Sequence, residues 1–239
     1  MKVDYKNWVP KGILIAMAAI SLLLLLFSVE FYILLDGILG ITLTTITFVA
    51  FLIFGATSIK LFRTHQAFSY DGKRKLSKRI IEGNAAYVIL PEGGVGLDVG
   101  CGSGALTIAY AKRNPQGKMT GLDRWGKEYA SFSNLLCVQN AKAERINNIV
   151  FHKGDANKLP FADESFDAFV SNYIYHNIPG KNKHKLLLET LRVLITGGTF
   201  AIHDLMSKKA TVIRMCFAKN LEKWVMKRLN FSMRQKEAL

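Results

Sequence analysis

Cysteine is scarce in this chain of 239 residues, which contains only three. Cys101, Cys137 and Cys216 do not have the spacing of a metal-binding site, so the sequence predicts no metal centre. The chain also lacks internal repeats and low-complexity linkers, and its length leaves no room for two full catalytic domains. We therefore expect one globular core with a modest additional segment.

Charged residues are absent from two apolar runs near the start of the chain, Gly12–Val29 and Gly37–Ile59. A helix that crosses ~30 Å of hydrocarbon needs ~20 apolar residues, and the second run has this length. The first run reaches it if the helix extends toward Leu35, with Glu30 near the far interface. The pattern predicts a transmembrane hairpin over residues 12–62, with spans at about 12–35 and 37–60.

Two alternatives stay open for these runs. One is that either run forms a buried core helix, and the other is that the first run is a cleaved signal peptide. A signal peptide is disfavoured, because a second and longer apolar run follows almost at once where soluble chain would be expected.

Basic residues flank both ends of the predicted hairpin, whereas its short connection is acidic. The flanking residues are Lys2, Lys6, Lys11, Lys60 and Arg63, and the connection holds Glu30 and Asp36. By the positive-inside rule, the basic ends face the cytoplasm. We therefore predict a cell-membrane protein with two spans, in which residues 1–11 and everything after residue 62 are cytoplasmic. In that compartment the three thiols stay reduced.

The formal net charge of +14 is concentrated in two segments. Residues 60–79 hold seven Lys or Arg against one Asp, and residues 207–239 hold nine against two Glu. Residues 80–206 are almost neutral, with thirteen basic and twelve acidic residues. Basic residues just inside a span are attracted to anionic headgroups by ~1 kcal/mol each. The hairpin and the basic juxtamembrane segment, residues 63–90, are therefore predicted to contact membrane lipid. No nucleic-acid partner is predicted, although nucleic acid stays a minor alternative.

Strands and helices alternate along the rest of the chain. A first helical pattern covers Ser77–Val88, behind a Ser77 cap. The predicted strands lie near Val95–Val99, Met119–Asp123, Ile149–Lys153, Ala168–Asn172 and Thr199–Asp204, and the predicted helices between them are Ala105–Asn114, Lys127–Asn147 and Asn182–Val193. Short apolar strands separated by helices indicate βαβ units with right-handed crossovers. The fold class is therefore α/β: a Rossmann-like, mostly parallel sheet with helices on both faces over residues 91–207, preceded by the hairpin.

A glycine-rich loop follows the first predicted strand, with the sequence Asp98-Val-Gly100-Cys101-Gly102-Ser-Gly104. Glycine permits a sharp turn and lets a ligand approach the backbone more closely than a Cβ would allow. The loop also satisfies the relaxed dinucleotide fingerprint. The loop could thus bind either a dinucleotide or a cationic cofactor, and Asp98 distinguishes between them. Its carboxylate repels the anionic pyrophosphate of a dinucleotide but attracts a cofactor that carries an ammonium and a sulfonium. Asp98 therefore favours a cationic cofactor over NAD. Its alternative role is to cap the turn that follows the strand.

Acidic residues also end the next two predicted strands. The Asp123 carboxylate can accept hydrogen bonds from the two ribose hydroxyls of an adenosine, an interaction that NAD enzymes also use. Asp155 and Ala156 suit an adenine, the carboxylate accepting from the exocyclic amine and the amide donating to a ring nitrogen. Each acid taken singly has an alternative role as a loop cap. Because open α/β sheets bind ligands beyond the carboxyl ends of their strands, three such acids in succession predict an adenosine site.

These motifs, in this order, resemble those of class I S-adenosylmethionine-dependent methyltransferases, of the small-molecule type found in quinone and sterol biosynthesis. The resemblance covers about residues 70–207 and includes the segments 98–104, 121–123, 154–161, 163–167 and 191–198. Thr196 departs from the family, which usually has Pro before the Gly pair. With the hairpin included, the chain is similar to bacterial membrane-anchored members of the family.

The resemblance implies S-adenosylmethionine as the cofactor. The residues that it assigns to the cofactor are Asp98, Gly100, Cys101, Gly102, Gly104, Asp123, Arg124, Asp155, Ala156 and Asn172.

The resemblance also places acceptor-facing residues just after the fourth strand. Tyr173 is expected to line the acceptor pocket, and His176 is expected to act as a general base. The alternatives are that His176 packs against the following helix and that the pair His203–Asp204 supplies the base. Tyr70 is expected at the methionine end of the cofactor or, alternatively, on the lipid headgroups.

The tail departs from the family, whose members end in a helix and an antiparallel strand pair. Residues 208–239 are strongly basic and show no alternating strand pattern, which predicts that the C-terminal strand pair is absent or altered. A basic amphipathic helix on the membrane and a frameshift in the gene are two interpretations of this segment.

The leading functional hypothesis is an enzyme that transfers a methyl group to a small, lipid-soluble acceptor at the cytoplasmic face of the membrane. One alternative is a cofactor-binding module that has lost catalysis through its altered tail. A less favoured alternative is an NAD(P)-dependent oxidoreductase. The sequence leaves the oligomeric state and the identity of the acceptor open.

Overall fold

The computed structural model describes residues 2–127, 130–175, 178 and 183–204. His176 and the tail after Lys208 therefore lie outside the described residues. The chain divides into two compact units, one over Lys6–Arg79 and a second in which the first five residues join the chain from Ile80 onward.

Two long apolar helices dominate the first unit: α1 spans Lys11–Leu34 and α2 spans Gly37–Phe68. Many of their large apolar side chains are exposed. Small residues lie where the helices meet, since Ser21 and Ser28 are buried and donate hydrogen bonds of 3.2 Å to carbonyls of α2. Small residues permit the close approach of helices that pack in lipid. The two predicted apolar helices are thus present, and both are long and apolar enough to cross a membrane.

A five-stranded parallel sheet forms the centre of the second unit, with the order β3-β2-β1-β4-β5. The strands are β1 Val95–Val99, β2 Lys118–Asp123, β3 Ile149–Lys153, β4 Phe166–Asn172 and β5 Leu194–His203, and the helices after α2 are α3 Leu76–Ala85, α4 Ala105–Arg113, α5 Asn134–Ala143 and α6 Lys183–Val193. The predicted Rossmann-like parallel sheet is confirmed. The direction in which strands are added reverses between β1 and β4, and open α/β sheets bind ligands at such a reversal.

The two central strands are buried on both faces, which makes them a rigid base for the loops that follow them. Leu97, Val99, Phe169 and Val170 are all at most 1% exposed. The ring of Phe169 also stacks on Phe200 of β5, with 5.5 Å between the ring centroids. A nearly continuous apolar run of this kind is typical of a parallel strand that is covered on both sides.

Helix α5 is shorter than the apolar spacing predicts, because local interactions stop it at both ends. The spacing predicts a helix over Lys127–Asn147, whereas α5 spans Asn134–Ala143. The Ser133 hydroxyl accepts a hydrogen bond of 3.1 Å from the Leu136 amide and so caps the start. Just beyond the end, Arg145 has a φ of +58°, in the left-handed region that terminates helices. The described residues before Asn134 belong to the connection from β2, and residues 144–147 belong to the connection to β3.

The guanidinium of Arg192, on α6, holds the connection between β3 and β4 in place. It donates hydrogen bonds of 2.7 Å to the carboxylates of Asp163 and Glu189. It also donates to the carbonyls of Phe161 and Leu159, at 2.8 and 3.1 Å. Its hydrogen bonds lower the pKa of the Glu189 carboxyl. A planar guanidinium is the only side chain with enough fixed donors for this set of acceptors.

We expect Arg192→Lys to lower the free energy of unfolding by ~1–3 kcal/mol, because an ammonium cannot satisfy two carboxylates and two carbonyls together. Urea unfolding of the detergent-solubilised protein, followed by tryptophan fluorescence, measures the change. The matched control is Lys112→Ala, which removes a single exposed ion pair with Glu144 and is expected to cost ~0.5 kcal/mol or less. Equal losses in the two variants would contradict this role of Arg192.

Candidate active site

The glycine loop connects β1 to α4 at the reversal of the strand order. Gly100, Gly102 and Gly104 have φ angles of +78°, +56° and +78°, which L side chains rarely adopt. At Gly100 a Cβ would also lie 2.1 Å from Cγ1 of Ile174, so only glycine fits there. At Gly102 the nearest atoms, from Phe132, would be 4.0 Å away. The loop is therefore tightly packed at its start and open beside Gly102, where a ligand can approach the backbone.

Asp123, at the end of β2, holds the glycine loop by hydrogen bonds to its backbone. One carboxylate oxygen accepts from the Gly102 amide at 2.9 Å, and the other accepts from the Trp125 amide at 2.7 Å. The Trp125 indole then donates to the Gly102 carbonyl at 3.0 Å, as does the Cys137 thiol at 3.1 Å. Sequence reasoning missed Trp125, whose signal is an aromatic residue two positions after the acid of the second strand. Arg124, which lies between Asp123 and Trp125 in the chain, is exposed.

Residues at the very start of the chain support the same loop from another side. The Ser103 hydroxyl donates to the Tyr5 carbonyl at 3.0 Å, and Tyr5 is 5% exposed. The buried Asn140 amide accepts from the Asp4 amide at 2.8 Å and donates to the Asp4 and Ser103 carbonyls at 2.9 and 3.0 Å. No motif in the sequence indicates this contact, because it joins residues about a hundred positions apart.

Asp98 is buried beneath the loop, with 1% of its surface exposed. One carboxylate oxygen accepts a hydrogen bond of 2.7 Å from the Thr107 hydroxyl. The other oxygen is buried without a hydrogen-bond partner among the described residues. Burial raises the pKa of Asp98 to about 7, with a smaller opposing contribution from the Thr107 hydrogen bond and a further increase from Asp123. A buried carboxylate with one unsatisfied oxygen is a site for a cationic donor.

Asp155 follows β3 and lies at the same end of the sheet as Asp98 and Asp123. The Gly154 amide donates to the Asp123 carbonyl at 3.0 Å, which brings the loop after β3 next to the end of β2. The Asp155 carboxylate accepts from the Asn157 amide at 2.8 Å, and Ala156 is half-buried against the core. Asp123 and Asp155 each accept hydrogen bonds from the backbone of their own loop, which fits the loop-cap interpretation, and their role toward a ligand stays a prediction.

A polar cluster occupies the carboxyl ends of β4 and β5. The Asn172 side-chain oxygen lies 3.2 Å from the Asn84 amide nitrogen and 2.9 Å from Nδ1 of His203. Because this oxygen only accepts, Nδ1 of His203 is the donor in this contact. The Tyr173 ring meets the His203 ring edge to face, with centroids 5.0 Å apart. Burial, and to a lesser extent Asp204, raises the pKa of Tyr173.

The structure therefore brings the predicted Asn172 and Tyr173 together with His203. His203 was the alternative to His176 in the sequence, and it is adjacent to Asn172 because the two residues pair across β4 and β5. Asn84, which completes the cluster from α3, had no signal in the sequence.

These features fit S-adenosylmethionine better than a dinucleotide. A dinucleotide would bring a pyrophosphate to the loop, where it would face the buried carboxylate of Asp98. A ligand with a positive charge instead satisfies the unpartnered oxygen and offsets the cost of burying an ionised group. The open approach to Gly102 leaves space for such a ligand.

Comparison with known proteins supports the same assignment. Residues 91–236 match the family model described as a methyltransferase domain. The demethylmenaquinone methyltransferase of Staphylococcus aureus strain JH9 is 30% identical over 168 residues, which cover 70% of this chain and 64% of that protein. The protein of strain Newman matches with the same figures. This chain thus spans slightly less than two thirds of the length of these relatives.

Among solved structures, the YcgJ protein of Bacillus subtilis is 25% identical, with a TM-score of 0.47 and coverage of 61% of this chain and 58% of that one. A SAM-dependent methyltransferase of Aquifex aeolicus is 23% identical, with a TM-score of 0.42 and coverage of 53% and 62%.

The family match covers more than half of the chain and runs into the tail after Lys208, whose departure from the family pattern stays a prediction. The match includes the glycine loop, Asp123 and Asp155, which lie together at one end of the sheet. The chain belongs to the class I S-adenosylmethionine-dependent methyltransferases, and its cofactor is S-adenosylmethionine.

Proposed function

We propose that this protein methylates a small, lipid-soluble acceptor, of the quinone class, at the cytoplasmic face of the cell membrane. The observation that carries the proposal is the pair of helices, each long and apolar enough to cross a membrane, that precedes the methyltransferase domain. The family makes the cofactor known, and the apolar hairpin supports a membrane location. The acceptor class is inferred separately from the relatives.

Three acids and the loop would hold the cofactor. Asp98 would bind its ammonium group, and the open side of Gly102 would let it approach the backbone. Asp123 would accept from the ribose hydroxyls, since each carboxylate oxygen keeps a second lone pair beside its present hydrogen bond. Asp155 and Ala156 would contact the adenine, as the sequence predicts. Arg124 and the loop cysteine Cys101 are further residues that the sequence assigns to the cofactor. Once bound, S-adenosylmethionine supplies an electrophilic methyl group on a sulfonium.

The quinone class of the acceptor is suggested by the Staphylococcus aureus relatives, which are named for demethylmenaquinone. A quinone of that kind dissolves in the membrane, and this chain has two helices that are apolar enough to reach it there. The reduced form of such an acceptor has ring hydroxyls, and loss of a hydroxyl proton makes the ring a better nucleophile.

We infer that His203 takes this proton. Its Nδ1–H is engaged by the Asn172 oxygen, so the Nε2 lone pair is the basic site. Asn172, held in turn by Asn84, fixes the tautomer and the ring orientation. Tyr173 contacts the same ring and would form a wall of the acceptor pocket. His176 stays the alternative base that the sequence predicts.

We expect the affinity for S-adenosylmethionine to fall about tenfold for each pH unit below about 7, because binding a cation requires ionised Asp98 and must then release a proton. The affinity should be greatest between the pKa of Asp98 and that of the cofactor's own ammonium group, and it should fall again at higher pH as the ammonium loses its proton. Isothermal titration calorimetry in two buffers of different ionisation enthalpy measures both the affinity and the proton release.

The control for this prediction is Asp98→Asn, which still accepts the Thr107 hydrogen bond but never ionises. This variant should bind S-adenosylmethionine weakly and without the loss of affinity at low pH. The raised pKa also means that ionised Asp98 destabilises the ligand-free fold as pH rises from about 4 to about 7. The variant should therefore be more stable than the parent at pH 8, by ~1–3 kcal/mol. A flat affinity profile in the parent protein would exclude the proposed role.

We expect His203→Ala to reduce methyl transfer by ~10²–10⁴-fold, because a positioned general base contributes about that factor. The affinity for S-adenosylmethionine is measured in parallel, because His203 contacts Asn172, a predicted cofactor residue. A base role predicts a far larger loss of methyl transfer than of cofactor affinity. The assay is transfer of labelled methyl to demethylmenaquinol in reconstituted membranes. His176→Ala is the comparison: if this variant is inactive and His203→Ala is active, the base is His176. Full activity of both variants would exclude a histidine base.

The proposed orientation predicts where single cysteines react. Asp36→Cys, in the connection between α1 and α2, should react with a membrane-impermeant maleimide in intact cells. Lys73→Cys, after α2, should react only once the membrane is permeabilised. The parent chain, whose three cysteines follow the hairpin, should stay unlabelled in intact cells. Labelling of Lys73→Cys from outside would reverse the proposed orientation.

A further inference from the structure

A cavity of about 350 Å³ lies at the carboxyl-terminal part of α2, within the first unit. Its walls are of two kinds. Ala56, Ile59 and Phe68 form an apolar side, and Lys60, Arg63 and Arg74 contribute three positive charges. None of the described residues that line it is acidic. Among the described residues, no ion pair neutralises the three cations.

The cations come from two segments that are folded onto each other. Lys60 and Arg63 lie on α2, about one turn apart, whereas Arg74 lies beyond the end of the helix. The chain turns back after Phe68, because the Gly72 amide donates to the Ser69 carbonyl at 3.3 Å. The Ser77 hydroxyl then donates to the Phe68 carbonyl at 2.8 Å and closes the turn. Arg74 is thereby held against the helix that carries the other two charges.

The position of the cavity along α2 agrees with a membrane boundary. The helix has 32 residues and is thus ~48 Å long, whereas the hydrocarbon core is ~30 Å thick. The uncharged run ends at Ile59, so Lys60 is the first charged residue of the helix. Ala56 and Ile59 of the apolar wall belong to the last uncharged turn of α2, whereas Lys60 and Arg63 of the basic wall belong to the turns that follow.

We propose that this cavity is a specific site for one anionic phospholipid. The lipid phosphate binds Arg63, Arg74 and Lys60, and the first part of an acyl chain lies along Ala56 and Ile59. Guanidinium groups suit a phosphate because they form paired, charge-assisted hydrogen bonds. A free phosphate would leave the apolar wall exposed, which is why a lipid is the better occupant. The inference rests on the membrane placement in the proposed function but concerns a different part of the molecule.

The test compares two double variants that remove the same charge from the same basic segment. Arg63→Gln/Arg74→Gln removes two cavity residues, and Lys73→Gln/Arg79→Gln removes two cations that do not line the cavity. The full-length protein is purified in phosphatidylcholine nanodiscs that contain a minor fraction of phosphatidylglycerol, and co-isolated phosphatidylglycerol is quantified by native mass spectrometry. We expect the first variant to co-isolate at least about tenfold less phosphatidylglycerol than the parent protein, and the second variant to co-isolate as much as the parent.

If the two variants retain equal amounts of phosphatidylglycerol, or lose equal amounts of it, the proposal is overturned, since an equal loss means diffuse attraction to the membrane surface.

A parallel titration compares inorganic phosphate with chloride at matched ionic strength. We expect phosphate not to displace the lipid, and displacement would identify the site as one for free phosphate. Methyl transfer in nanodiscs of pure phosphatidylcholine is measured for each protein. It tests the proposed function independently, because no cavity residue takes part in the chemistry.

Discussion

The central physical constraint in this protein is a carboxylate buried under a loop that is open to ligand on its other side. In the absence of a cation, burial opposes ionisation of Asp98 and raises its pKa to about 7. Thr107 satisfies only one of its oxygens. The second oxygen is left for a donor that the described residues do not supply, and a cationic donor would stabilise the ionised form most. Such surroundings suit the positively charged S-adenosylmethionine better than a cofactor that places a pyrophosphate at the same position.

The rest of the site keeps that carboxylate and the loop in a fixed relation. The Gly102 amide donates a hydrogen bond to Asp123, and the Gly102 carbonyl accepts one from the Trp125 indole. Ser103 is held by the Tyr5 carbonyl, which comes from the very start of the chain. A loop secured from several directions needs little rearrangement when its ligand binds, and such preorganisation lowers the cost of binding. On the other side of the switch point, Asn172 and His203 contact each other at the ends of the neighbouring strands β4 and β5.

The hairpin follows different rules. Its helices expose large apolar side chains, whereas the core of the globular unit buries such side chains. This exposure is what is expected of helices surrounded by lipid, and both helices are long and apolar enough to cross a membrane. The uncharged part of α2 ends before Lys60, and the cavity beside that residue combines apolar and basic surface.

Much of this protein follows from short stretches of its sequence. The two uncharged runs specify apolar helices, and the alternation of strands and helices specifies a parallel sheet. The glycines at positions 100 and 104 and the acids at 98, 123 and 155 mark the ligand end of that sheet. These features are legible because each depends on residues that are close together in the chain, where spacing and backbone preference dominate.

Only the tertiary structure decided the remaining features. The end of α5 depends on a serine cap that apolar spacing does not reveal. The contact between Asn172 and His203 exists because β4 and β5 are neighbours in register. The support of Ser103 by Tyr5 joins residues 98 positions apart in the chain, and the raised pKa of Asp98 results from its burial in the folded protein. Such properties arise from packing between distant segments, and packing is not encoded in the order of any single segment.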